Sequence, residues 1–146
     1  MRRILYLIVI IINTLTSCDL APGSYPNAEI YEFETTEVKL IEAVNKFKIH
    51  NPEYSLLNQE RFKDGRRNKS DHWHHIWFYY HKDDEIVKCW IREGKIAFIG
   101  LGDGIKLSNY MEINKDFSRK ENKYEKEKFE RLILSEIKKN LIQTSN

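Results

Sequence analysis

The stretch DHWHHIWFYY contains the residues of this chain that come nearest to a metal site. In a strand, His72 and His74 would point to the same face, and a histidine pair at this spacing can bind zinc if a third ligand converges on it. The conceivable third ligands are Asp71, His50 and His81, but no pattern brings them close, and the chain has no HExxH or paired CxxC motif. We therefore predict no metal and no cofactor, and a metal-assisted hydrolase using His72 and His74 is the alternative.

Other motifs that can carry chemistry are incomplete in this sequence. The segment GLGDG has the glycines of a phosphate-binding loop without the Lys and the Ser or Thr that should follow, so it predicts a turn. The acidic run Asp83, Asp84 and Glu85 lacks the alternating ligand spacing of a calcium loop. No serine lies in a GxSxG elbow. The sequence therefore names no catalytic residue, and we expect a protein that is not an enzyme.

The composition fits one folded domain with a balanced charge. A chain of 146 residues with 41% hydrophobic residues can bury a single core. Its 24 Lys and Arg against 22 Asp and Glu give a net charge of +2, and Arg2 and Arg3 account for that excess. Without these two arginines the balance is zero, which argues against a nucleic-acid partner because phosphate binding needs clustered positive charge.

The first residues have the layout of a secretory signal peptide. Two arginines precede an apolar run from Ile4 to Ile12, and small or polar residues lead on towards Cys18. A membrane-spanning helix needs about 20 apolar residues, roughly twice the length of this run, so a permanent transmembrane anchor is the weaker interpretation. Residues 1–17 are accordingly predicted to be a signal peptide.

The four residues LTSC that end this signal, Leu15 to Cys18, resemble the lipobox of bacterial lipoproteins, in which small residues precede an obligatory cysteine. The resemblance implies that the Cys18 thiol receives a diacylglyceryl group, that the signal is cleaved before it, and that the new amino terminus is acylated. Two or three acyl chains hold a protein stably at a bilayer, so Cys18 would anchor the chain in a membrane of the cell envelope, inner or outer. An ordinary secreted protein with a chance cysteine is the alternative.

The second cysteine has the pattern of a core residue. Lipidation of Cys18 would leave Cys89 as the only thiol of the mature chain, so no intramolecular disulfide is expected. In IVKCWIR, Cys89 alternates with Val87 and Ile91, which predicts a buried and unreactive position.

The mature chain divides into a tether and one domain. Residues 18–28 contain two prolines and a glycine without apolar periodicity, which predicts a tether, and the domain is predicted at 29–143. Its class should be α+β: a strand in EIYEFE, a helix in TTEVKLIEAVNKFKIHNP that starts at a threonine and stops before Pro52, an antiparallel meander of HHIWFYY, IVKCWIR and KIAFIGL, and a second helix capped by Ser118 and Glu121. The polar segment 59–70 predicts a solvated loop, with contact to anionic headgroups or an acidic partner as the alternative.

The tight turns of the meander predict which residues share a face. If the first hairpin closes symmetrically about Asp83 and Asp84, Phe78 lies opposite Cys89 on an apolar face, which we predict to be the core. In the second hairpin the same argument places Phe98 opposite Cys89 and Ala97 beside Trp90.

The other side of the sheet, hereafter the second face, mixes large aromatic residues with cations. The same register pairs Trp77 with Trp90, a contact worth about 0.2 to 1 kcal/mol beyond an alanine pair. The predicted binding face consists of His75, Trp77, Tyr79, Lys88, Trp90 and Arg92. If it is exposed, it should bind a partner, since protein interfaces favour aromatic and arginine anchors and a glycan would suit a ring beside a cation. The alternative is that the tether or the helix after Ser118 covers it.

A wider resemblance points to the same compartment. The segments GSYPNAEIYEFE, DHWHHIWFYY and INKDFSRKENK look like parts of small Gram-negative envelope lipoproteins that have no assigned activity. The resemblance therefore implies an envelope location and supplies no catalytic residues. We expect a lipid-anchored, non-enzymatic binding module with a protein or glycan partner. An envelope enzyme and a structural lipoprotein without a specific ligand are the alternatives.

Overall fold

The structure is a computed structural model that describes residues 25–56 and 59–143. These residues form an open, five-stranded antiparallel sheet packed against helices, so the predicted α+β class is confirmed. In chain order the elements are β1 (Glu29–Glu32), α1 (Glu37–His50), β2 (His74–Tyr80), β3 (Glu85–Arg92), β4 (Lys95–Asp103), β5 (Ser108–Glu112), α2 (Arg119–Phe129), a π-helical turn (Glu130–Leu134) and α3 (Ser135–Gln143). The predicted signal peptide, Cys18 and most of the tether lie outside the described residues. In the part of the chain that is described, no helix has the length and apolar character needed to cross a bilayer.

Both helical segments begin where a side chain satisfies free backbone N–H groups. Thr36 precedes α1, and its Oγ1 accepts a hydrogen bond from the Lys39 amide at 3.3 Å. Ser118 precedes α2: its Oγ accepts from the Glu121 amide at 3.4 Å, and its own amide donates to the Glu121 carboxylate at 3.1 Å. The predicted capping box is therefore confirmed.

The sheet extends beyond the predicted meander into a further strand. Its order is β1–β4–β3–β2, and β5 also pairs with β4. The prediction of a turn at GLGDG is wrong for most of this segment, because Gly100 and Gly102 lie within β4 and the turn begins only at Gly104. These glycines let β5 approach closely: a Cβ on Gly100 would collide with the Met111 carbonyl, and it would lie 2.8 Å from the Tyr110 hydroxyl.

The first hairpin closes one residue earlier than predicted. Its turn consists of the four residues 81–84, so Tyr80 faces Glu85. Every predicted β2–β3 pair is therefore displaced by two residues, and Trp77 faces Lys88 instead of Trp90. Because the displacement is even, all side chains remain on the predicted face of the sheet.

The same displacement gives the other second-face residues new partners. His75 lies opposite Trp90, and Tyr79 lies opposite Ile86. The second hairpin has the predicted register near its turn, where Trp90 faces Ala97. A β-bulge between Lys88 and the next residue then places Lys88 opposite Gly100, so the regular register does not continue beyond this point.

The main core lies between the helices and the predicted apolar face. Phe78, Cys89 and Phe98 from the sheet are fully buried and pack with Phe47 of α1 and Phe129 of α2. The Phe98 and Phe129 ring centroids are 4.7 Å apart. Cys89 is a core residue, as predicted, and its burial raises the pKa of the thiol.

One buried lysine fastens the helix to the tip of the first hairpin. The Lys128 ammonium of α2 lies 2.8 Å from both the Asp83 and the Glu85 carboxylates, 3.7 Å from that of Glu125, and 4.3 Å from the Tyr80 ring centroid. Burial opposes its charged form, but the hydrogen bonds to the two hairpin carboxylates outweigh this and raise its pKa. Burial opposes the charged form of the Glu125 carboxyl too, and for an acid this raises the pKa.

Replacing Lys128 by Met should destabilise the domain, because it leaves the buried Glu125 and the half-buried Glu85 carboxylates without their counter-charge. We expect Lys128→Met to lower the free energy of unfolding by about 3 kcal/mol in urea denaturation at neutral pH. Lys139→Met, which removes an exposed lysine paired only with Glu136, should change it by less than about 0.5 kcal/mol. Equal effects of the two substitutions would contradict the assigned role of Lys128.

Candidate binding surface on the second face of the sheet

The six residues of the predicted binding face share the second face, but they differ in exposure. His75 is 4% exposed, and Trp77 and Trp90 are each 7% exposed. Tyr79, Lys88 and Arg92 are partly exposed. The predicted pairing of the two tryptophans is therefore wrong, and of the two possibilities left open for this face, cover applies to both residues.

None of the three helices provides this cover. The cover comes from the polar loop, the end of the tether and the β4–β5 turn. At one end of the second face, Phe62 packs on Trp77 with ring centroids 5.1 Å apart. We call this cluster the Phe62 patch; its members are Phe62, Trp77, Ile86, Leu56, Tyr79 and Leu107. At the other end, Trp73 packs on Trp90 with ring centroids 4.2 Å apart. We call this cluster the Trp73 patch; its members are Trp73, Trp90, Ala97, Ile99, Tyr25 and Ala28.

Two aspartates hold the loop against the sheet. Asp64 accepts a hydrogen bond from the Trp77 amide at 3.0 Å and forms an ion pair with Lys48 of α1. The next residue, Gly65, exchanges two backbone hydrogen bonds with His75, which extends the sheet at the β2 edge. The loop is thus tied to the outer edge of β2, and the prediction of a simply solvated loop is wrong for this part of it.

Asp71 holds the second half of the loop. Its carboxylate accepts hydrogen bonds from the Trp73 amide at 3.0 Å and from the Arg67 amide at 3.2 Å. The same carboxylate lies 3.1 Å from Nε2 of His75. These contacts orient Trp73 over Trp90, so a polar turn positions an aromatic cover.

Lys88 lies at the seam between the two patches. Its ammonium is 4.8 Å from the Tyr25 ring centroid and 5.9 Å from those of Trp77 and Tyr110. Burial lowers its pKa, and the charge of Arg67 lowers it further. Among the described residues, none forms an ion pair or hydrogen bond with it. Ring contacts stabilise a cation by about 0.5 to 2 kcal/mol, which is less than a charged hydrogen bond supplies, so Lys88 can still accept an anionic or oxygen-bearing ligand.

Three more polar atoms of this face are buried without a partner among the described residues. They are His75 Nδ1, Trp90 Nε1 and the Tyr110 hydroxyl oxygen. A buried donor or acceptor without a partner costs about 1 to 3 kcal/mol, so native proteins have few of them. All three atoms are covered in this structure, so the accessible polar group of this face is the Lys88 ammonium.

The outer layer of the Trp73 patch is a stack of rings and a cation. The Arg92 guanidinium lies 5.0 Å from the Trp73 ring centroid, and Tyr25 contacts Trp73 edge to face at 6.4 Å. The end of the predicted tether, Tyr25–Ala28, is therefore part of the domain. Sequence reasoning missed Tyr25 and Trp73 because neither belongs to a strand; the isolated aromatic residue just before β2 was the available signal.

The histidines do not converge on a metal site. His72 is exposed, whereas His74 is half-buried at the start of β2, and burial lowers its pKa. Burial also lowers the pKa of His75, with Arg67 adding to the effect. Within residues 25–56 and 59–143, no group of three His, Cys, Asp or Glu side chains could hold a metal ion.

Comparisons with protein-family models, with curated proteins and with solved structures found no match to this chain.

The buried tryptophans should be needed for folding. We expect Trp77→Ala to lower the free energy of unfolding by about 3 to 5 kcal/mol, because it leaves a cavity beneath Phe62. Trp73→Ala should cost less, about 2 kcal/mol, since its ring is partly exposed. Urea denaturation followed by far-UV circular dichroism measures both changes. A Trp77→Ala variant as stable as the natural chain would show that this face is open to solvent.

Proposed function

We propose that this chain is a lipid-anchored protein of the cell envelope that acts by binding rather than by catalysis. The LTSC sequence and the apolar run before it support the lipid anchor. Tyr25, seven positions after Cys18, already packs on the domain through Trp73 and Lys88, which suits a domain held close to the bilayer from which it is anchored.

The observation that carries the binding role is the unpaired, half-buried Lys88 within its frame of aromatic rings. A purely structural face would be expected to pair such a cation or to leave it fully solvated. Here Tyr25, Trp77 and Tyr110 surround it, and none of the described residues forms an ion pair or hydrogen bond with it, although the charge of Glu112 favours its charged form from a longer distance. The surface that we propose for binding consists of Tyr25, Trp73, Lys88 and Arg92, and it takes the place of the buried pair Trp77 and Trp90.

The alternatives have less support. A metal-assisted hydrolase on His72 and His74 would need a third ligand, and none of the described residues converges with these two. A structural lipoprotein without a ligand would have no use for a half-buried cation that none of the described residues pairs.

The anchor is tested by the distribution of the chain between cell fractions. We expect Cys18→Ala to move the protein from the membrane fraction to the precursor or soluble pool, because the thiol that accepts the lipid is lost. Ser17→Ala, which keeps a small residue before the cysteine, is the matched control and should remain membrane-bound. A Cys18→Ala chain with the natural distribution and mass would rule out lipidation at this residue.

The binding surface is tested by site-directed photo-crosslinking in intact envelopes. A photoreactive phenylalanine derivative in place of Trp73 should form an adduct with an envelope component. The same residue in place of Tyr124, which is 58% exposed on α2, should not. Lys88→Met should reduce the adduct at position 73 about tenfold, the effect of losing one charged contact. Equal adduct yields at both positions would exclude a binding surface on the second face.

A further inference from the structure

We propose that the partner of this surface is an anionic phospholipid bilayer, against which the Trp73 patch and the adjoining basic loop lie. This inference rests on the lipid anchor proposed above and names the occupant of the same surface. The length of chain before Tyr25, the unpaired cations of the loop and the aromatic rings beside them support it independently of one another.

The first support is the short connection to the bilayer. Six residues separate Tyr25 from Cys18, which makes seven steps along the chain, and an extended chain spans at most about 3.6 Å per step, so Tyr25 lies within about 25 Å of the lipid attachment point. The Tyr25 ring is held on the second face by Trp73 and by the Lys88 ammonium. The tether therefore delivers this face, and not the helical side, towards the membrane.

The second support is a group of exposed cations. Arg67 and Lys69 are exposed on the loop, and none of the described residues pairs with either side chain. Arg92 stacks on Trp73 and forms one ion pair, with the neighbouring exposed Glu93, and its side chain is 36% exposed. The nearest loop carboxylate, Asp71, is already occupied by His75 and two backbone amides. Each basic side chain near an anionic membrane surface strengthens attraction about fivefold.

The third support is the kind of aromatic residue at the surface. Tyr25 and Trp73 are both partly exposed, and Trp and Tyr rings favour the boundary between headgroups and acyl chains. The guanidinium of Arg92 stacks on Trp73, so the ring and the charge can reach this boundary together. A headgroup phosphate would then supply the oxygen atoms that Lys88 lacks within the described residues.

The opposite side of the domain is not suited to the same contact. There α2 and α3 cover the core, and their outer surface has acidic residues interspersed with the basic ones. Lys123 and Lys139 on this side are paired with Glu127 and Glu136. The second face differs from this side in that its exposed rings, Tyr25 and Trp73, are joined to the chain that leads back to Cys18 and have Lys88 and Arg92 against them.

The experiment uses the protein purified from membranes and reconstituted into vesicles whose acyl chains carry bromine, which quenches nearby indoles. One vesicle set contains phosphatidylglycerol and the other only phosphatidylcholine. Because Trp77 and Trp90 are buried, quenching reports on Trp73, and Trp73→Phe should remove it. We expect strong quenching in the anionic vesicles, weak quenching in the neutral ones, and loss of the difference at high salt.

Charge variants locate the contact. The triple substitution Arg67→Gln, Lys69→Gln and Arg92→Gln should lower the ratio of docked to undocked domain about 100-fold, since three fivefold contributions are lost.

The matched control removes the same charge from the helical side, through Arg119→Gln, Lys120→Gln and Lys138→Gln. It should leave the quenching unchanged, because all three residues are exposed on α2 or α3. Equal losses in the two triple variants would overturn the proposal.

Two other results would overturn this proposal and leave the proposed lipid anchor at Cys18 standing. One is a chain shown by mass to be acylated at Cys18 whose Trp73 is quenched equally in both vesicle sets. The other is protection of Trp73 by an envelope glycan or protein with no dependence on lipid charge. Conversely, a chain without acyl groups would refute the anchor, while its quenching would still report whether this face binds anionic lipid.

Discussion

The sheet of this protein has large apolar side chains on both faces, and the helices cover only one of them. On the second face, Trp77 and Trp90 must be buried by other means, since leaving two indoles exposed would forgo several kcal/mol of burial. The chain meets this constraint with a polar loop that Asp64 and Asp71 tie to the sheet. Each aspartate satisfies a backbone amide of an aromatic residue, so the loop and its rings are positioned together.

Covering a face with two separate patches leaves a seam, and Lys88 occupies it. Its ammonium has only aromatic rings around it in the described structure, and three further polar atoms of the same face have no partner there. Because the tether joins the domain at Tyr25, the seam lies close to the proposed point of membrane attachment. The requirement to bury the second face and the proposed binding surface thus have the same structural origin.

The periodicity of the sequence was enough to predict much of this fold. Alternation in segments such as IVKCWIR predicted the main strands and the division of their side chains between two faces. The capping box at Ser118 predicted the start of α2. Register was harder to predict, because it depends on whether a turn closes on two residues or four, and the sequence HKDD allows both. The bulge beside Lys88 and the pairing of β5 depend on tertiary contacts at Gly100, which no local pattern reports.

The candidate site was predicted in part. All six residues named from the sequence do share the second face, since an even shift of register preserves parity. Their exposure could not be predicted, because the cover comes from Phe62 and Trp73, which lie in segments without periodicity. Loop aspartates before isolated aromatic residues are the sequence feature that would have suggested this cover.

Amide hydrogen exchange of the full chain, compared between native membranes and detergent, tests the central claim that the second face is the surface facing the envelope. The account predicts slower exchange in membranes for residues 25–28 and 66–73, with unchanged exchange along α2 and α3. Exchange that is equal in both media throughout, or slowed only on the helices, would contradict it.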